Sequence, residues 1–147
     1  MIVIELTGIP GAGKTTLMKT LKSGLETEGI SVLNPEALVF SHYKIPIPKS
    51  HIAKTLVLDL LLSTWAARAM GHSKARKLLG LGLRTIWGSP NPKLISANLL
   101  RNFVKKIGIS SFISHKNKQT KDAVIIWDEG LIHTHQLIFV HTHSGPD

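Results

Sequence analysis

The sequence predicts an α/β fold in three layers, with helices on both faces of a parallel sheet. Three observations carry this. Ile2 to Thr7 is a run of mostly β-branched apolar residues that leads into a glycine-rich loop, and an amphipathic helical pattern follows at once. A second short apolar run, Ile30 to Leu33, comes directly after that pattern, so strand, helix and strand form one βαβ unit. Much later, Ala123 to Trp127 reads as a third apolar strand, with Asp128-Glu129-Gly130 at its C-terminal end.

Taken in order, the first strand is apolar enough to lie centrally in the sheet, buried on both faces. The first helix opens at Lys14. Leu17, Leu21 and Leu25 share one face, Lys19, Lys22 and Glu26 the other, and Gly29 is a C-cap. Asn34-Pro35 ends the second strand. The next ninety or so residues look mainly helical. Ile52 to Met70 is long and apolar, but Lys54 and Asp59 argue against a membrane span, since a charge near the bilayer centre costs about 2.5–3.5 kcal/mol. A buried helix is the better account. Asn91-Pro92 offers an N-cap with proline at N1, Leu94, Ala97, Leu100, Val104 and Ile107 form a helical stripe, and Gly108 closes it. The polar stretch from Ser114 to Asp122 reads as a surface loop. Leu131 to Val140 reads as a helix after the third strand, with a strand as the alternative.

At 147 residues, 43% hydrophobic and 18% charged, the chain suits a single globular domain. It has no cysteine, which excludes disulfides and thiolate metal sites, and its N-terminus lacks the basic region of a signal peptide. A cytoplasmic location is the simplest expectation. The net charge of +9 would suit phosphates, nucleic acid or an anionic membrane. However, the basic residues look scattered, apart from short clusters such as Lys74 to Lys77 and Lys116 to Lys118. No aromatic residues interleave with them as a base-stacking surface would need, so no nucleic-acid partner is expected. Trp65, Trp87 and Trp127 are expected in the core.

The segment Gly8-Ile9-Pro10-Gly11-Ala12-Gly13-Lys14-Thr15 is a complete phosphate-binding loop of the form G-x4-G-K-[ST]. Its glycines let successive backbone N–H groups turn inward toward phosphate oxygens, and the helix N-terminus adds its positive dipole end. In this motif Lys14 reaches the β- and γ-phosphates, the Thr15 hydroxyl ligates Mg²⁺, and Thr16 continues the nucleotide-contacting turn. Lys14 is expected to face solvent when the loop is empty. Asp128 is the natural second ligand for Mg²⁺, because ligands of open α/β sheets bind at strand C-termini. Glu129 has three open roles: orienting or deprotonating an attacking group, contacting an acceptor, or standing idle in solvent.

The stretches IVIELTGIPGAGKTTL at 2–17 and VIIWDEG at 124–130 resemble P-loop NTPases of the thymidylate kinase and nucleoside monophosphate kinase group, especially the kinase-like ATP-binding proteins with Asp-Glu-Gly after the third strand. The resemblance implies ATP and Mg²⁺ as cofactors, a parallel five-stranded sheet, and a small-molecule acceptor held by the helices between strands, here about 36–110. Gly11, Gly13, Lys14 and Thr15 carry over as nucleotide and metal contacts. Thymidylate kinases have Asp-Arg where this chain has Asp128-Glu129, so a nucleotide acceptor does not follow. The group's lid and later strands have no counterpart in the seventeen residues after Gly130, and a fragment is expected, with self-association along an uncovered first strand. Asn117-Lys118-Gln119-Thr120 lacks the aspartate of a guanine-reading motif. The pairs His133/His135 and His141/His143 lack partners at zinc spacing. The leading expectation is a Mg²⁺-dependent small-molecule kinase. The alternatives are an ATPase switch using Asp128 and Glu129 as a Walker B pair, and a nucleotide-binding remnant without turnover.

Overall fold

A computed structural model describes residues 1–8, 11–88, 93–117 and 123–128. The described elements are β1 (Ile2–Leu6), α1 (Lys14–Thr27), β2 (Ser31–Leu33), α2 (Pro35–His42), α3 (His51–Ala69), α4 (Ser73–Gly88), α5 (Lys93–Asn117) and β3 (Ala123–Asp128). The three strands are parallel, in the order β1-β3-β2. Of the described strands, the last in sequence is thus the middle one in space. Its first five residues are all buried, as expected of an apolar run covered on both faces.

Alternation along β3 divides the core. Val124 and Ile126 join Leu6, Ile4 and Val32 against Met18, Leu21 and Leu25 of α1. Ile125 and Trp127 point the other way, into Val39, Phe40, Leu58, Leu62, Trp65 and Phe112 of α2, α3 and α5. The result is the expected three-layer arrangement: α1, sheet, then the other helices.

Several expectations need correction. β1 is not central: among the described residues only β3 pairs with it, and Ile2 and Val3 are exposed. In α1 the packed positions are Met18, Leu21 and Leu25, while Leu17 is exposed. Spacing of three and four residues serves a face as well as four and four, and the sheet selected Met18. Gly29 does end α1: its N–H and that of Ile30 donate back to the carbonyls of Glu26 and Leu25, closing a Schellman turn. Asn34-Pro35 does more than stop β2. The Asn34 Oδ1 accepts from the N–H of Glu36 at 2.8 Å and that of Ala37 at 3.4 Å, capping α2 with proline at N1.

The segment read as a buried helix is α3, but only one face of it is buried: Leu58, Leu62, Trp65, Ala66 and Ala69 are covered, while Ile52, Leu56 and Leu60 are exposed. Among the described residues no helix is long and apolar enough to cross a membrane. Its two charges are paired, Lys54 with Glu36 of α2 and Asp59 with Arg101 of α5. Gly108 does not close α5, which runs on to Asn117 and takes in the first part of the expected surface loop. A Cβ at Gly108 would collide with the backbone of Leu62, so this glycine marks where α5 lies closest to α3. Burial on α5 is centred on Phe103, Ile107, Ile109, Phe112 and Ile113. Leu94, expected in the stripe, is exposed. Trp65 and Trp127 are core residues as expected, but Trp87 is 75% exposed. Asn91-Pro92, Lys118 to Asp122 and the stretch from Glu129 onward, including Leu131 to Val140 and the four C-terminal histidines, lie outside the described residues.

Candidate functional site

Two of the glycines after β1 adopt backbone conformations that side chains resist. Gly11 has φ 83° and Gly13 φ 74°, and a Cβ at either would meet nothing within 4 Å. The requirement is therefore conformational rather than spatial. Gly13 is also the N-cap of α1. No side chain caps this helix, and no acidic residue lies in its first turn. The first-turn amides and the positive end of the helix dipole are thus left without a competing side-chain carboxylate, the condition under which a helix start receives an anion.

Lys14 is only partly exposed. Its Nζ donates to the carbonyl oxygen of Gly8 at 2.7 Å, across the mouth of the loop. This corrects the expectation of a solvent-facing lysine: its ammonium finds a carbonyl acceptor within its own loop. Ala12, Thr15 and Thr16 are exposed. Ile9 and Pro10 lie outside the described residues.

Asp128 stands at the C-terminal end of β3. It pairs in register with Leu6, two residues before Gly8, and neighbouring strands lie about 5 Å apart. By alternation it continues the row of Val124 and Ile126, the row packed on α1, and so faces the side from which the loop and helix rise. Its Oδ1 is buried and has no hydrogen-bond partner among the described residues. A buried, unpartnered carboxylate oxygen is costly unless something compensates it, and a cation is the natural candidate. Among the described residues no three His, Cys, Asp or Glu side chains cluster to hold a metal unaided. Of the two side chains expected to share a cation, Thr15 is exposed in the first turn of α1 and Asp128 stands at the end of β3. Glu129 lies outside the described residues.

A cleft of about 370 Å³ opens beside Asp128. The end of β3 forms its floor, the start of α2 one wall and the middle of α5 the other. Asn34, Glu36, Asn102, Lys105, Lys106 and Asp128 are its polar lining residues. Glu36 bridges two lysines, its Oε1 accepting from Lys105 Nζ at 2.9 Å and its Oε2 lying 2.8 Å from Lys54 Nζ. Burial raises the Glu36 pKa, but the hydrogen bonds and charges of Lys54 and Lys105 outweigh it, leaving the pKa below the usual 4.5. Lys106 stands over the Trp127 ring, 5.7 Å from its centroid.

The sequence placed an acceptor region at 36–110 without naming these residues. The signal available was slight: two adjacent lysines in the otherwise apolar run FVKKIGI. No protein-family model, curated protein or solved structure matches the chain.

Proposed function

We propose that this chain binds ATP and transfers its γ-phosphoryl group to a small polar acceptor seated between α2 and α5. The observation that carries this is the position of Asp128. It ends β3 beside β1, keeps one buried carboxylate oxygen without a partner among the described residues, and is itself one of the residues lining the cleft. A site for hydrolysis alone would have no use for a side cleft of this volume. A transferase needs one next to the phosphates.

The backbone N–H groups of residues 11–16, at the start of α1, hold the phosphate oxygens. Lys14 gives up the Gly8 carbonyl and turns to the β- and γ-oxygens, where it neutralises charge that builds up as the phosphoryl group leaves. Thr15 and Asp128 would hold Mg²⁺, which supplies further positive charge against the phosphates. Asn102, Lys105 and Lys106 orient the acceptor, and the Glu36 clamp keeps Lys105 in place.

A titration with a fluorescent ATP analogue tests the core of this proposal. Wild type should bind saturably, and Lys14→Ala should weaken binding by about a hundredfold, the effect of losing a charge-assisted contact to two phosphates. Removing the Gly8 bond should cost only about 1 kcal/mol of stability, so the variant should remain folded. Equal affinity of the two proteins would remove the phosphate loop, and the proposal with it.

A further inference from the structure

A second cavity, of about 410 Å³, lies on the opposite side of α5 and shares no lining residue with the cleft at Asp128. Trp65, Arg68 and Ala69 of α3, His72 of the following turn, Ala75 and Leu78 of α4, and Ile107, Ser110, Ser111, Ser114 and His115 of α5 surround it. Its chemistry is one-sided. Three basic side chains and three hydroxyls line it with no carboxylate, and the chain has no acidic residue at all between Asp59 and Asp122. The basic residues that look scattered in the sequence therefore lie in a stretch without countercharge.

The donors are also unspent. Serines and threonines inside helices commonly turn back onto a carbonyl three or four residues earlier, and Thr27, Ser63, Thr64 and Thr85 all do so here. Ser110, Ser111 and Ser114 make no such bond, and the side chains of Arg68, His72 and His115 form no hydrogen bond or ion pair with any described residue. Arg68 lies over the Trp65 ring at 5.5 Å, and the His115 ring packs on the same indole at 5.1 Å, so the basic groups are held around an aromatic wall. The surplus of positive charge is felt nearby: His42 is held below its usual pKa by desolvation, then by the charges of Lys116 and His115.

We infer that this cavity is a binding site for a small anion with an apolar body, its oxyanion group received by Arg68, His72, His115 and the three serine hydroxyls, its apolar part lying against Trp65, Leu78 and Ile107. Guanidinium and hydroxyl groups together match the several lone pairs of a phosphate or carboxylate, and the volume suits a ring-sized body.

Phenyl phosphate is the probe, titrated by calorimetry into the full chain carrying Lys14→Ala, which removes the phosphate loop as a competing site. It should bind saturably, and more tightly than inorganic phosphate or benzyl alcohol alone. Arg68→Gln should weaken it about tenfold, the loss of one charge-assisted hydrogen bond. Arg84→Gln, an equal change of charge on the exposed side of α4, should leave it unchanged. Ser114→Asp, an exposed substitution that adds a repelling charge, should abolish binding and guards against a folding defect in the Arg68 variant, with thermal melts by circular dichroism as the check. Absence of saturable binding, equal affinity for benzyl alcohol, or equal losses in the Arg68 and Arg84 variants would each overturn the assignment.

Discussion

Asp128 ends a strand whose other residues are all buried, and it keeps one carboxylate oxygen out of solvent with no partner among the described residues. Such an oxygen carries a desolvation cost of about 1–3 kcal/mol that the fold itself does not offset. Replacing the carboxylate with an amide keeps its size and removes the charge. Asp128→Asn should therefore hold or slightly raise the melting temperature while reducing the gain in ATP affinity that Mg²⁺ provides. Measuring ATP affinity with Mg²⁺ and with EDTA in both proteins checks this, and an equal gain from Mg²⁺ would exclude Asp128 as a metal partner. At this scale the sequence was informative where chemistry is tied to a local motif. The positions of Lys14 and Thr15 at a helix start and of Asp128 at a strand end were legible, because glycine spacing and an apolar run fix those element ends. Glu36, Asn102, Lys105 and Lys106 were not, because a lysine lining a cleft and a lysine in solvent look alike in one dimension. The bond from Lys14 to Gly8 was also invisible, since it depends on a loop carbonyl whose direction is set by φ.

Helix and strand boundaries followed local rules where local chemistry decides them, and failed where packing does. The Gly29 turn and the Ala123 strand were legible from cap and pattern. Gly108 looked like a helix stop, but α5 passes through it because the approach of α3 leaves no room for a Cβ. Gly108→Ala should accordingly destabilise the protein by about 1–3 kcal/mol despite alanine's higher helix propensity. Gly24→Ala, at an open position of α1, should stabilise it by about 0.5–1 kcal/mol, and urea unfolding of the two variants distinguishes packing from propensity. The same helices are tied together by Glu36, which joins α2 to Lys54 of α3 and Lys105 of α5. Its lowered pKa means that the clamp is fully present above the unfolded carboxylate's value of about 4.5 and is lost as pH falls through the lower folded value. Glu36→Gln should cost about 1–2 kcal/mol at neutral pH and little at pH well below 4, so the two stability curves should converge on the acid side. A constant gap across the acid range would show that the clamp does not titrate as described.

For the molecule as a whole, the three-layer plan was legible from one βαβ unit and a third apolar strand, but the position of β1 was not. A nearly all-apolar strand reads as central, and pattern cannot tell which strand sits in the middle when sequence order and spatial order differ. In the structure β3 takes the centre. β1 is left with Ile2 64% and Val3 42% exposed, and β3 as its only strand partner among the described residues. An apolar strand at the edge of a sheet is a template for another strand, and natural proteins usually blunt such edges with charge. Glu5 carries the only charged side chain of β1, leaving the first half of the strand without one. The chain should therefore self-associate as its concentration rises. Val3→Lys places a charge on that edge at a position already exposed and should shift the population toward monomer without changing ATP affinity, since Val3 precedes the phosphate loop and lines no part of the cleft. Phosphate release from ATP without an acceptor should stay near background in both proteins. Among the described residues the cations lining the cleft at Asp128 are Lys105 and Lys106, with no arginine to brace charge on a phosphoryl group passing to water. Size-exclusion chromatography with light scattering over a range of concentrations, run beside a phosphate-release assay, reads both effects. A wild-type chain that stays monomeric at every concentration would show that the β1 edge is covered, and steady phosphate release without acceptor would favour hydrolysis over transfer.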